Sequence, residues 1–281
     1  MPELPEVETL KLGIQKYVVG HKILDLELAH PKIFQGDKDL IVGSSILGVR
    51  RVGKGLIIEL SNEYCLAIHI KLTGQLIYRD EKTKDVPLSI KVGKTLPNKF
   101  THVIFKLDRD SKLYYNDQRR FGWIKVLKAD EVSKLPFFRD MGPEPFKDLT
   151  FKRFKFVVGK KVTKIKPLLM DQTNIGGIGN IYANDALFRA KISPSRAGKS
   201  LNEQELKDLY DSIIFVLKKG LETHGASELS FVNILGQEGE YQNHTLVYGK
   251  KGESCPNKCG GKISFIRIGG RGTFFCETCQ R

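Results

Sequence analysis

Four cysteines confined to the last 27 residues place the tightest constraint on this chain. Three residues separate Cys255 from Cys259, two separate Cys276 from Cys279, and sixteen lie between the pairs. Two close thiolate pairs make a closed tetrahedral zinc site, and a closed site is structural, not catalytic. Residues 262–268 and 272–275 read as two strands joined by Gly269-Gly270-Arg271-Gly272. The metal then staples a β-hairpin too small to fold alone. From Lys250 to Arg281 the module holds seven basic and two acidic residues. A stiff basic hairpin with Arg271 at its tip suits insertion along a nucleic-acid groove. A ribbon that serves only protein contacts is the other use of such a module. The fifth cysteine, Cys65, sits in the apolar run Tyr64-Cys65-Leu66-Ala67-Ile68 and reads as a small core residue.

The charge of the rest of the chain has the same sign. Forty-six Lys and Arg against 32 Asp and Glu give a formal net charge of +14, which points to a polyanionic partner or to a merely basic protein. No apolar run is long enough to span a membrane. The start lacks the pattern of a secretory signal, and Glu3, Glu6 and Glu8 argue against a transit peptide. The expected location is the cytoplasm, in association with the nucleoid, with no membrane partner.

The 281 residues suggest more than one domain. Val7, Leu10, Ile14 and Tyr17 recur at helical spacing, so residues 5–19 form a helix with Pro5 in its first turn. Short strand-like runs follow at 23–28, 46–52, 56–60, 65–70, 102–107, 112–115 and 123–126, and predict a sandwich or barrel. Met141-Gly142-Pro143-Glu144-Pro145 cannot be regular structure and reads as a linker. Beyond it, Asn202 and Glu205 form a capping box ahead of an apolar helical face that Gly220 should end. Gly176-Gly177-Ile178-Gly179-Asn180 opens another helix. Such a turn holds a phosphate or simply joins two helices, and no Lys-Ser/Thr follows to make it a nucleotide-binding loop.

At the N-terminus, removal of Met1 would leave Pro2 as a secondary amine. An α-amino group with a pKa near ~7.7–8 is about one-tenth neutral at pH 7, far more than a lysine, and a neutral amine attacks an aldehydic carbon. Glu3 beside it can act as acid or base. A rigid start before an acidic helix N-terminus explains the same residues without chemistry.

These features together resemble the formamidopyrimidine-DNA glycosylases. The likeness rests on Pro2-Glu3-Leu4-Pro5-Glu6-Val7-Glu8-Thr9, Arg50-Arg51-Val52-Gly53-Lys54 and Asp117-Gln118-Arg119-Arg120-Phe121-Gly122. It continues through Gly142-Pro143-Glu144-Pro145, Ile165-Lys166-Pro167, Gly179-Asn180-Ile181-Tyr182-Ala183, Val247-Tyr248-Gly249 and the cysteine module. The resemblance implies a multidomain α+β protein: an N-terminal catalytic β-sandwich flanked by helices (1–134), a linker (135–148), a helix–two-turn–helix domain (149–244) and a zinc finger (245–281). It implies duplex DNA with oxidised bases as the partner, bound in the cleft between the domains, one zinc ion and a monomer.

The implied activity is excision of oxidised purines, followed by β,δ-elimination at the abasic site through a Schiff base on Pro2. Pro2, Glu3, Lys54 and Arg271 are the implied catalytic set, and Glu6 belongs to the same acidic cluster. His102, Arg119, Arg120, Phe121, Leu72, Lys166, Gly179, Asn180 and Tyr248 are the implied DNA contacts. Among them, Leu72, Arg119 and Phe121 fill the gap left by a flipped nucleotide. Leu72 stands where the family usually has methionine, the first cysteine pair has one extra residue, and His224–Ser230 departs from the family's base-capping pattern. An endonuclease VIII-like preference for oxidised pyrimidines, or an inactive lesion-binding protein, are the alternatives.

Overall fold

The computed structural model describes residues 1–281, which form two compact units. Unit 1 comprises Met1–Arg139 and Leu221–Gln242; unit 2 comprises Asp140–Gly220 and Asn243–Arg281.

Unit 1 opens with helix α1 (Leu4–Tyr17), whose Val7, Leu10 and Ile14 are buried as their spacing requires. Nine strands follow: β1 (Ile23–Leu28), β2 (Phe34–Gln35), β3 (Ile46–Val52), β4 (Gly55–Leu60), β5 (Tyr64–His69), β6 (Gly74–Arg79), β7 (Thr101–Leu107), β8 (Lys112–Asp117) and β9 (Trp123–Lys128). They make a four-stranded sheet ordered β1-β7-β8-β6 and a five-stranded sheet ordered β2-β9-β5-β4-β3. One apolar core takes side chains from both sheets and from α1, including Leu10, Ile58, Ile68, Leu76, Phe105 and Ile124. The sandwich is therefore real, and α1 closes one part of it. The alternate residues Ile57, Cys65 and Ala67 face a second cluster with Val132 and Phe138. Cys65 is fully buried there, and burial pushes its thiol up to about 11, as fits a packing residue.

Strand β6 went unread in the sequence because all but its last residue are buried, so no in–out alternation marks it. Two-residue β2 is too short to leave a pattern.

Unit 2 holds α3 (Phe151–Val158), α4 (Ile165–Met170), α5 (Asn180–Arg189), most of α6 (Glu203–Glu222) and the hairpin β10 (Ile263–Ile268) and β11 (Arg271–Cys276). Between the units in sequence, Pro136–Arg139 is a single helical turn, α2, and 141–144 has no regular structure. The capping box at α6 forms in both directions: Glu205 N–H donates to Asn202 Oδ1 (2.9 Å) and Asn202 N–H to Glu205 Oε2 (2.8 Å). Gly220 does not end the helix, which runs on to Glu222. A Cβ at that position would lie 2.5 Å from the Tyr182 hydroxyl, so the glycine serves close packing.

One further finding departs from the sequence reading. Leu221–Gln242 packs with the sandwich, not with the helices among which 149–244 placed it. No helix is long and apolar enough to cross a membrane.

Candidate active site and metal centre

The N-terminus of α1 is a carboxylate-lined start. Pro2 is buried beneath exposed Met1, and Glu3 and Glu6 are only 2% and 1% exposed. Glu6 Oε2 accepts the Glu3 N–H (2.6 Å), and Glu6 Oε1 accepts the Ala226 N–H (2.7 Å). One buried carboxylate thus fixes the first residues against the segment that begins at His224. The approach is so close that a Cβ on Gly225 would lie 2.8 Å from Glu6 Cγ, and its φ of +84° favours glycine as well. Glu6 therefore positions this start.

Lys54 occupies the turn between β3 and β4 and is 3% exposed. Its turn is tied to α1 by one arginine. Arg51 Nε donates to Glu8 Oε2 (2.8 Å), and Arg51 Nη1 donates to the Gly53 carbonyl (2.9 Å). Burial works against the Glu8 charge, but Lys11 and Arg51 hold its carboxyl below the usual range. Close by, His69 is buried against Trp123 and Phe137. Burial, helped by the charges of Lys71 and Lys54, lowers its pKa to about 3, so the imidazole is neutral and its Nδ1 accepts the Lys71 N–H (2.9 Å).

Leu72 lies in the next turn, partly buried, while Arg119, Arg120 and Phe121 are exposed on the turn after β8. A single buried carboxylate, Asp117, connects the two turns. Its Oδ1 accepts the Thr73 hydroxyl and the Arg119 N–H (3.2 Å), and its Oδ2 accepts the Gly122 N–H (2.8 Å). Arg120 adopts φ +56°, a left-handed conformation that costs a β-carbon residue about 1 kcal/mol or more. It bends the chain so that Arg119 stacks over the Phe121 ring, 4.8 Å from its centroid, with Phe121 52% exposed. His102 reaches the same turn: its Nε2 donates to the Asp117 carbonyl (2.8 Å), and it is 9% exposed.

In unit 2 the glycine turn and the hairpin converge on α5. Gly179 is its buried N-cap and Asn180 its first residue. Gln172 clamps the turn, donating to the Ile178 carbonyl (2.8 Å) and accepting the Gly177 N–H (2.9 Å). Asn184, one turn on, donates to the Asn180 carbonyl (2.6 Å) and accepts the Phe274 N–H of β11 (2.8 Å). Asp185 accepts the N–H groups of Leu246, Val247 and Tyr248 at 3.0, 3.0 and 3.2 Å. Tyr248 packs edge-on against Phe274.

Arg271 is exposed at the start of β11, paired with Ile268 across the two-residue turn Gly269-Gly270, both at positive φ. Lys166 corrects the expectation drawn for it. It is fully buried, and its ammonium donates to the Gly272 carbonyl (2.6 Å) and to Thr273 Oγ1 (2.8 Å). It holds the strand behind Arg271 instead of offering a charge to a phosphate.

Below the hairpin, the sulfurs of Cys255, Cys259, Cys276 and Cys279 all lie within 4.8 Å of one another. Cys255 and Cys279 are 3.7 Å apart, Cys259 and Cys276 3.5 Å. Zn–S bonds of about 2.3 Å in a tetrahedron place sulfurs about 3.8 Å apart, so the quartet fits one zinc ion with no ligand position left open. Burial pushes the Cys276 thiol up, but the Cys279 N–H and the neighbouring thiols more than offset it and leave it at about 7. Gln280 braces the site, accepting the Cys276 N–H (2.8 Å) and donating to the Ile192 carbonyl (2.9 Å).

Sequence reasoning missed His69, Asp117, Asn184 and Asp185. For the last two the signal was present: two polar residues inside the otherwise apolar run Ile181–Phe188, every residue of which is buried.

Residues 1–124 match the model of the formamidopyrimidine-DNA glycosylase N-terminal domain, 141–231 its H2TH domain, and 252–281 the zinc finger found in FPG and IleRS. The formamidopyrimidine-DNA glycosylase of Pelotomaculum thermopropionicum is 39% identical, covering 100% of this chain and 99% of that protein. That of Lactococcus lactis subsp. cremoris is 38% identical over 100% of both. Among solved structures, wild-type Lactococcus lactis Fpg (MutM) with N7-benzyl-Fapy-dG DNA is 36% identical, with a TM-score of 0.87 over 100% of both chains. The complex of Lactococcus lactis Fpg with abasic-site DNA gives 36% and 0.87 over 99% of each.

Proposed function

This chain belongs to the formamidopyrimidine-DNA glycosylase family, and from that membership we propose that it excises oxidised purines from duplex DNA and cleaves the abasic site through Pro2. It is a DNA glycosylase with one structural zinc ion. The observation that carries the finer reading is the buried Pro2-Glu3 start, fixed by Glu6 and joined through Glu8 and Arg51 to the Lys54 turn.

With Met1 removed, the Pro2 nitrogen in its neutral form attacks C1′ of the damaged nucleotide. The bond to the base breaks, and the base leaves with a proton. Glu3 serves the proton transfers and stabilises positive charge on the sugar, where a buried carboxylate acts in low dielectric. The C1′–O4′ bond then breaks, O4′ takes a proton from Glu3 and the nitrogen lone pair forms the C=N bond, so the product is a ring-opened iminium ion, which draws electrons from the sugar. Loss of a C2′ proton expels the 3′ phosphate, a second elimination expels the 5′ phosphate, and water returns Pro2 to the amine. Lys54, buried beside neutral His69, holds a phosphate from unit 1. Arg271, Asn180, Gly179 and Tyr248 hold phosphates from unit 2, with Asn184, Asp185 and Lys166 fixing them. Leu72, Arg119 and Phe121 fill the vacated stack, and Arg120 and His102 contact the backbone alongside. In domain terms, 1–134 is the catalytic sandwich, 135–148 the linker and 245–281 the zinc finger. Within 149–244, the stretch Leu221–Gln242 works with the sandwich that it packs on.

A broader lesion range has one point in its favour. Lactococcus lactis Fpg has been crystallised with DNA containing an oxidised pyrimidine, at 36% identity to this chain. Single-turnover strand scission decides between the readings. Duplexes carrying 8-oxoguanine or formamidopyrimidine opposite cytosine should be cut at least about tenfold faster than one carrying an oxidised pyrimidine, a difference of about 1.4 kcal/mol in activation free energy. The reverse ranking would assign the chain to endonuclease VIII-like chemistry.

A further inference from the structure

The DNA reading leaves one strongly basic surface of unit 2 without a role. Between Lys152 and Lys164 the chain carries Lys152, Arg153, Lys155, Lys160, Lys161 and Lys164 and no acidic residue. All six are exposed. Arg153 pairs with Asp148 (2.6 Å) and Lys155 with Glu203 (2.8 Å), while the four others make no ion pair. Among these charges lies a largely apolar groove of about 590 Å³, lined chiefly by Lys152, Lys155, Phe156, Lys160, Leu201 and Leu206, its one acidic side chain, Glu203, being neutralised by Lys155.

The composition of the groove is unusual for a surface that only meets water. Leu201 and Leu206 are buried, but Phe156 is 67% exposed. Helix α3 is already anchored by Phe154 and Val158, both fully buried, so the fold does not need a third large apolar side chain on its outer side. Gly159, the C-cap of α3, also lines the groove, and a Cβ there would lie 3.3 Å from Leu206 Cδ1 and 2.8 Å from the Lys155 carbonyl. The Lys160 ammonium stands 5.0 Å from the Phe156 ring centroid, which places a positive charge at the edge of the apolar recess.

Phosphates would satisfy the lysines but offer nothing to Phe156, Leu201 and Leu206. A peptide satisfies both. Apolar patches rimmed by charge mark protein contacts, and a central aromatic anchor within a charged rim is the usual distribution of affinity at such contacts. We propose that this groove docks an acidic peptide segment of a partner protein, with its carboxylates on Lys152, Lys160 and Lys161 and one aromatic or aliphatic side chain against Phe156, Leu201 and Leu206. The lysines speed and orient encounter, and the apolar anchor sets the dissociation rate. This assignment is independent of the catalytic reading, since none of these residues belongs to the catalytic set.

The test is fluorescence anisotropy with the full-length protein and a fluorescein-labelled peptide of Asp and Glu residues carrying one Phe. Saturable binding is expected. It should weaken at least about tenfold with Phe156→Ala, with Lys152→Glu plus Lys160→Glu, and with Ala in place of the peptide's Phe. Saturating unlabelled duplex should not displace the peptide, and Phe156→Ala should cut lesion-containing duplex at the parent rate. Three results overturn the proposal: no binding of the peptide, equal binding by Phe156→Ala, or displacement of the peptide by duplex, which would make the groove a DNA contact.

Discussion

Asp117 accepts hydrogen bonds from Thr73, Arg119 and Gly122 and has no exposed surface, so the two turns that carry Leu72, Arg119 and Phe121 share one buried charge. Removing it strands the buried Thr73 hydroxyl and Gly122 N–H, while the Arg119 N–H keeps Thr73 Oγ1 (2.9 Å). Asp117→Ala should cost roughly 3 kcal/mol in urea unfolding and slow base excision; a change within about 0.5 kcal/mol would show that the turns hold themselves. His69 gives a pH prediction. Burial first, then Lys71 and Lys54, lower its folded pKa to about 3, against about 6.5 unfolded. A depressed folded pKa contributes stability that is complete above about pH 6.5 and is lost as pH falls toward 3. Between pH 7 and 5 the loss from this residue is about 2 kcal/mol. Denaturation followed through Trp123, the one tryptophan, should show that loss in the parent and not in His69→Gln. Equal pH slopes would contradict the assignment.

At the scale of elements, the hairpin β10–β11 is the dependent piece. It has a zinc ion at its base, Lys166 behind β11 and Asn184 at Phe274. Each holds the strand that presents Arg271, and none is a large apolar core. Chelation should release one zinc per chain and weaken duplex binding at least about tenfold, while the Trp123 emission of the sandwich stays as it was. Retained binding after complete zinc loss would mean that Lys166 and Asn184 suffice. Helix α5 shows the opposite economy. Its buried polar pair Asn184-Asp185 places Asn180, β11 and Tyr248 from a single rigid element.

For the whole molecule, the zinc quartet and the proposed chemistry-bearing residues could be picked out in the sequence because their spacing reflects local requirements. Four thiols need a fixed separation, a two-glycine turn needs positive φ, and a secondary amine needs the chain start. The groups that position them were not legible, because Asp117 and Lys166 act across 44 and 106 residues of separation and His69 is buried by Trp123 and Phe137, and only folding brings these partners together. The same holds for Leu221–Gln242: its helical lead-in, α6, belongs mostly to unit 2, while Glu6 claims the segment for the sandwich. All of this serves one proposed bond, from the Pro2 nitrogen to a sugar carbon. Borohydride reduction during reaction with an 8-oxoguanine:cytosine duplex measures it most directly. The account predicts a covalent protein–DNA adduct whose modified residue is Pro2, and none under the same brief conditions with Pro2→Gly; an adduct on Lys54, or undiminished trapping by that variant, would contradict it.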